Sequence, residues 1–423
     1  MAPRLQKIHF PDPQRHTMKG YFTQSIGLLE RLNKGEKVVV AEGYLYNFEK
    51  RCYLKAGPYV PTVVLEHPDL VKQLHDEFVR AGSDVVLAFT YYGNRQKMNL
   101  IDRAHDLEEL NRSALRITRK CADETGTLMA GNICNTNAYN PADPNNRENL
   151  KGMFKQLPQK HSNKSSKLFT NSQGGLISPS CSLLYPIGSS NGEWEGAGRS
   201  RFNGPLEEGA DFIVAETFTV FDEAMIALES IKECSKGLPC VVTLAIMHNP
   251  AEDGEERTVD SVKVTEAMKR LEASGADVIG LNCMRGPETT IGLMEKIKKS
   301  GVKAHLDAVP VPYRTNEKAP IFMLLKDPKT GKRAFPYNMD CFMSTRDDIF
   351  EFGRRCDEIG ISYIGVCCGN SPHYTRTLCE SIGRTPPASK YSPDMNFHCV
   401  FGDEDHTDKY RKEQGEKLQG HKA

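Results

Sequence analysis

Short runs of apolar and β-branched residues alternate with longer amphipathic segments through most of the chain. The runs 37–42, 84–89, 127–132, 211–216, 240–245, 277–282, 302–308 and 362–366 read as strands. They are apolar throughout rather than alternating, which is the pattern of a parallel sheet covered on both faces. Between them, 68–81, 107–124, 222–234, 261–274, 288–300, 345–359 and 373–382 carry a helical period. Gly82, Gly275, Gly301 and Gly360 stand where helices should end, one step before the next strand. "RAGSDVV", "ASGADVIG" and "EIGISYIG" read as one helix–turn–strand unit used three times.

About eight such units predict a closed (β/α)8 TIM barrel, an α/β single domain whose usual size is about 250 residues before insertions. A doubly wound open sheet is the main alternative. It would place a Gly-rich nucleotide loop after the first strand, where "VAEGYLYNFEKR" holds only Gly43. On this reading residues 1–27 are an N-terminal extension, 28–384 the barrel, and 385–423 an irregular, partly disordered tail. One stretch breaks the rhythm: 157–203, just before the fourth strand, is rich in Ser, Asn, Gly and Lys and follows neither period. A loop of that length is unusual inside a compact domain, so it reads as a disordered surface insertion, more an isoform difference than a designed lid.

Composition narrows the partners. The 423 residues are 39% hydrophobic and 26% charged, with Lys+Arg and Asp+Glu balanced at 55 each. A neutral chain has no long-range pull toward nucleic acid or an anionic membrane, which favours a small-molecule partner. The N-terminus lacks a continuous apolar run, and no later stretch is long and apolar enough to span a bilayer. Thirteen cysteines without a secretory signal fit a reducing compartment, the cytoplasm by default. A homo-oligomer is compatible with all of this.

Three of those cysteines stand apart. Cys367 and Cys368 end the last strand in "YIGVCCGN", and Cys283 ends the sixth in "VIGLNCMRG". Barrel active sites lie at the C-terminal ends of the strands, so the three sulfurs should converge on one mouth. Three thiolates leave one tetrahedral position open, the arrangement of a catalytic zinc rather than a structural one. Gly365 and Gly369 should let the backbone turn both sulfurs toward one centre. The other ten cysteines, including Cys121, Cys234, Cys356 and Cys379, read as ordinary buried thiols.

The segments "GLNC", "GVCCG", "FTYY", "AETF" and "EKRCYLKAGPYVPTVVLEHPDLVKQLHDEFVRAGSDV" resemble the homocysteine S-methyltransferase family, on its betaine–homocysteine side, from about residue 28 to 383. The resemblance implies a barrel, Zn2+ on Cys283, Cys367 and Cys368, homocysteine as acceptor, and a small cationic methyl donor. It implies that Glu216 holds the acceptor's amino group and that Tyr92 lies at the donor site. Tyr59 stands where the betaine enzymes carry tryptophan, and Gly43 lies in the turn that contacts substrate. Asn282 is expected to hydrogen-bond beside Cys283, and Arg314 in "PVPYRT" to meet a substrate carboxylate.

Departures from the pattern concern the donor. Ala41 replaces the aspartate expected beside the amino group, with Glu42 next to it. Thr217 replaces the tyrosine after the glutamate, and Ala88 stands where threonine is common. Betaine is the expected donor, giving methionine and dimethylglycine, with S-methylmethionine or a dimethylsulfonium compound as alternatives. An inactive zinc-binding isoform, disrupted by 157–203, and a redox role for the Cys367–Cys368 pair are competing readings.

Overall fold

The computed structural model describes residues 26–155, 209–248, 253–336, 338–402 and 408–420. The segment 157–203, with the N-terminal residues before 26, lies outside them. Eight parallel strands close into a barrel: β1 (Val38–Ala41), β2 (Val85–Leu87), β3 (Leu128–Cys134), β4 (Phe212–Phe218), β5 (Cys240–Leu244), β6 (Val278–Asn282), β7 (His305–Val309) and β8 (Tyr363–Val366). Closure is the pairing of β8 with β1, from Val38↔Tyr363 to Ala41↔Val366. Each strand falls within or beside a run read from the sequence.

The uniform apolarity of the strands has a direct cause. Their alternate side chains point to opposite faces, and both faces are dry. Val38, Val40, Phe212, Val214, Val278 and Tyr363 fill the barrel interior as one buried cluster. Val39, Ile213, Ala215, Ile279, Ala308 and Ile364 belong to a second cluster, shared with the surrounding helices. Those helices include Pro68–Ala81, Leu107–Thr125, Phe221–Cys234, Val264–Ala273, Pro287–Lys299, Arg346–Ile359 and Pro372–Ser381. The helix-ending Gly82 and Gly360 adopt φ of 112° and 81°, a left-handed conformation that costs glycine little.

The repeated "GSD" and "GAD" steps also acquire a reason. Asp84 accepts the Val39 N–H at 2.8 Å, Asp211 that of Met129 at 2.7 Å, and Asp277 that of Cys240 at 2.9 Å. An aspartate heading one strand thus satisfies the preceding strand at the N-terminal rim. Asp84 further binds Arg384 at 2.6 Å and Arg31 at 2.9 Å, which ties both ends of the barrel segment together. β7 starts at His305 rather than 302, because the Lys303 and Ala304 N–H groups are taken by the Glu272 carboxylate.

Several helices go beyond the sequence reading, two of them longer than seven residues. Asn146–Lys155 buries Leu150 and Phe154, the latter 6.1 Å from the Phe218 ring, and Lys151 bridges to Glu233 at 2.8 Å. Past Arg384 the chain is irregular, with short turns at Pro387–Tyr391 and Met395–Phe397, but residues Lys409–Gly420 are helical. On either side of 157–203 the barrel keeps its register, down to Cys134↔Glu216. No helix of the described residues is long and apolar enough to cross a membrane.

Candidate metal centre and active site

The C-terminal rim is where the backbone departs from regular conformations. Tyr59, Tyr92, Asn137, Thr217, Cys283 and Met284 all have φ between 52° and 63°. Left-handed non-glycine residues cost free energy and cluster where surrounding structure fixes a functional geometry. At Cys283 the turn follows β6 directly, and the Cys283 N–H remains bonded to Val309 at 2.9 Å. Cys367 follows β8, its N–H on Pro310 at 2.7 Å.

These anchors bring the Cys283, Cys367 and Cys368 sulfurs within 4.8 Å of one another, with Cys367 and Cys368 3.8 Å apart. Such a set could hold one metal ion. Hydrogen bonds from the Cys367 and Cys368 thiols hold Cys283 well below the usual thiol range, while the donors are pushed above it. The flanking glycines act differently from one another. Gly369 turns the chain at φ 95°, whereas a Cβ at Gly365 would come 2.5 Å from the Val40 carbonyl, so its smallness serves the β1–β8 approach. Gly43 likewise lies against the Cys367 carbonyl, where a Cβ would overlap it.

Beside the sulfurs lie carboxylates drawn from β4, β7 and the residue after β1. Glu42, Glu216 and Cys367 form a second cluster within 4.8 Å. Glu216 receives hydrogen bonds from Asn132 and, at 3.0 Å, from Asn282. The Asn282 carbonyl accepts the Thr217 N–H at 3.0 Å and the Thr243 hydroxyl at 2.8 Å, so this one side chain joins β4, β5 and β6. Burial pushes the Glu216 carboxyl up to about 7, against the pull of Asn132. Burial, with Glu216 and Asp307 nearby, holds Glu42 well above the carboxylate range. Asp307, deeper on β7 and fully buried, is raised for the same reason and has neither oxygen hydrogen-bonded.

A cavity lined by Gly43, Tyr44, Tyr91, Asn132, Glu216, Thr217, Cys367 and Cys368 opens over this group. The residues read from sequence therefore divide. Cys283, Cys367, Cys368, Glu216, Asn282 and Gly43 come together. Tyr59 stands at the edge, its ring 5.7 Å from Tyr46. Tyr92 is at the mouth, its N–H on the Cys134 sulfur at 3.2 Å, but its ring is engaged: Lys97 Nζ sits 3.9 Å from the centroid and Tyr91 packs at 4.4 Å.

Arg314 is not brought to the cavity. Its guanidinium is half-exposed, 2.9 Å from Asp348, in an outer groove beside helix Arg346–Ile359. Neighbouring residues leave an extended segment on opposite sides, and it is Tyr313 that turns inward to stack on Phe322. Asn132, Tyr46, Tyr91, Lys97 and Asp307 went unsignalled in sequence. Asn132 and Asp307 lie within strands, and Tyr46, Tyr91 and Lys97 in the segments that follow strand ends.

The chain matches the homocysteine S-methyltransferase family model over residues 43–382. It is 31% identical over 382 residues to betaine–homocysteine S-methyltransferase 1 of Xenopus tropicalis, covering 86% of this chain and 78% of the relative. It is 32% identical over 378 residues to the S-methylmethionine–homocysteine S-methyltransferase of Pongo abelii, covering 86% and 84%. Among solved structures, the metallated homocysteine methyltransferase MmuM of Escherichia coli superposes with a TM-score of 0.56 at 15% identity, over 83% of this chain and 98% of that one. That last likeness is one of fold.

Proposed function

The chain belongs to the homocysteine S-methyltransferase family, and from that premise we propose that it moves a methyl group from betaine to homocysteine, with zinc held by Cys283, Cys367 and Cys368. The carrying observation is the meeting of those three sulfurs beside a buried glutamate at the barrel mouth. With Zn–S bonds of about 2.3 Å, the edges of a tetrahedral site are about 3.8 Å long. The Cys367–Cys368 separation of 3.8 Å matches that edge. Cys283, Cys367 and Cys368 would hold the zinc, which would supply a deprotonated substrate thiol at neutral pH.

The chain's own residues then orient and shield. Glu216 and Glu42 face the place of the acceptor's ammonium, and Asn132 and Asn282 fix the Glu216 carboxylate. Both glutamates are buried, which strengthens their attraction for that ammonium. The acceptor sulfur attacks the donor methyl in line, an S–C bond forms, and the tertiary amine departs with the pair of the broken N–C bond. The half-buried tyrosines Tyr46 and Tyr91 supply aromatic surface toward the cationic donor.

A second reading is S-methylmethionine or another sulfonium as donor. It is favoured by Thr217 in place of an aromatic wall and by the covered face of Tyr92, which leave less aromatic surface for a trimethylammonium. Methionine formation measured with betaine, S-methylmethionine and a dimethylsulfonium donor in parallel separates the readings. Cys368→Ala should abolish turnover with every donor and lower bound zinc. Full activity in that variant sinks the metal assignment.

A further inference from the structure

Lys97 lies on the short helix Arg95–Asn99 that follows β2, its backbone N–H fixed by the Asn94 side chain at 2.9 Å. The side chain is half-buried and reaches over Tyr92, 3.9 Å from the ring centroid. Other half-buried lysines of this chain meet carboxylates: Lys72 binds Asp76 and Glu124, and Lys151 binds Glu229 and Glu233. Among the described residues the Lys97 ammonium has no carboxylate partner. The Cys134 thiol at the end of β3 acts on it, and burial lowers its own pKa. A partly desolvated cation with only a ring face beside it is an incomplete arrangement, since a cation–π contact replaces lost hydration only in part.

The acidic side of the mouth is elsewhere. Glu42, Glu216 and the three sulfurs gather at the ends of β1, β4, β6 and β8, whereas Lys97 rises from the loop after β2, between β1 and β4 in the barrel, and among the described residues makes no ion pair with either glutamate. An amino acid acceptor would put its ammonium and sulfur on the acidic side. What Lys97 faces is then the methyl donor. A bare onium ion would be repelled there, because the same ring already carries a positive charge. An onium ion that also bears a carboxylate would find an unpaired ammonium for it.

We propose that Lys97 pairs with the carboxylate of the methyl donor and so restricts this enzyme to zwitterionic onium donors. The assignment rests on the transferase reading above. It combines a charge-assisted attraction for the right donor with a built-in repulsion against cations lacking the anionic end.

The test compares a carboxylate-bearing donor, betaine or S-methylmethionine (whichever the wild type uses), with trimethylsulfonium, which has none. In Lys97→Met, kcat/KM for the carboxylate donor should fall about tenfold, through KM, with the KM for homocysteine unchanged. For trimethylsulfonium the same variant should hold or gain, because the repelling charge is gone. Lys97→Arg should recover most of the loss. An equal loss with both donors would mean that Lys97 merely packs on Tyr92 and overturns the proposal, as would no change with either. A wild-type protein that methylates homocysteine from no donor sinks the transferase reading, and this assignment with it.

Discussion

His75 shows at a single residue how burial sets chemistry. Its ring sits edge-on to Tyr44 at 5.0 Å, with neither nitrogen hydrogen-bonded, and burial lowers its pKa from 6.5 to about 4. Between those values the unfolded chain binds a proton that the folded chain refuses, so stability rises with pH across that window and falls as pH drops through it. The shift corresponds to roughly 3 kcal/mol, fully present above the unfolded pKa and lost below the folded one. His75→Phe keeps the ring and removes the titration. Its urea midpoint should therefore decline less than that of the wild type from pH 7 to pH 4, and parallel declines would show that His75 is not a source of the slope. At the site, residue identity was legible for the cysteines and Glu216, whose types are rarely buried together without a role. It was not legible for Tyr92, whose ring is engaged by a lysine five positions on. Sequence names an aromatic, but only packing says whether its face is free.

At the scale of elements, the repeats carried more meaning than their apolar residues alone suggested. The aspartates that open strands satisfy N–H groups at the start of their neighbours, a role unreadable until β1 and β2 lie side by side. Asp84 adds the two arginines at the ends of the barrel segment, and we propose 28–384 as the folding unit on that basis, with 1–27 and 385–423 outside it. Asp84→Ala should cost roughly 3 kcal/mol, since it strands partly buried partners. A chain cut after Arg384 should keep the wild-type urea midpoint. A large loss in the cut chain, or none in Asp84→Ala, would refute the assignment. Helix Asn146–Lys155 escaped notice because its apolar positions are few, and Leu150 and Phe154 declare themselves core residues only against Phe218.

For the whole molecule, the proposed zinc would link the ends of β6 and β8 with β7 between them. A ligand that binds only the folded chain stabilises it by RT ln(1 + [L]/Kd), about 4 kcal/mol at a thousandfold excess over Kd. Stripping zinc with a chelator under reducing conditions should therefore lower Tm by several degrees, and adding zinc should restore it. An unchanged Tm in protein shown to have lost its metal would count against a shared centre. Closure of the barrel also explains why Arg314 and Tyr313, adjacent in sequence, part company. One faces the outer groove and the other the mouth.

Hydrophobic periodicity, helix-ending glycines and cysteines at strand ends determined the barrel and the gathering of three sulfurs at its mouth without coordinates. These signals are local, or follow from a topology in which every strand ends on the same rim. Which side chains meet across that rim was decided only by the tertiary structure. Glu42 against Glu216, Asn282 joining three strands, Lys97 over Tyr92 and Arg314 turned away all depend on strand stagger and loop path. Distances between residues far apart in the chain are fixed by closure and packing, and no local pattern encodes them.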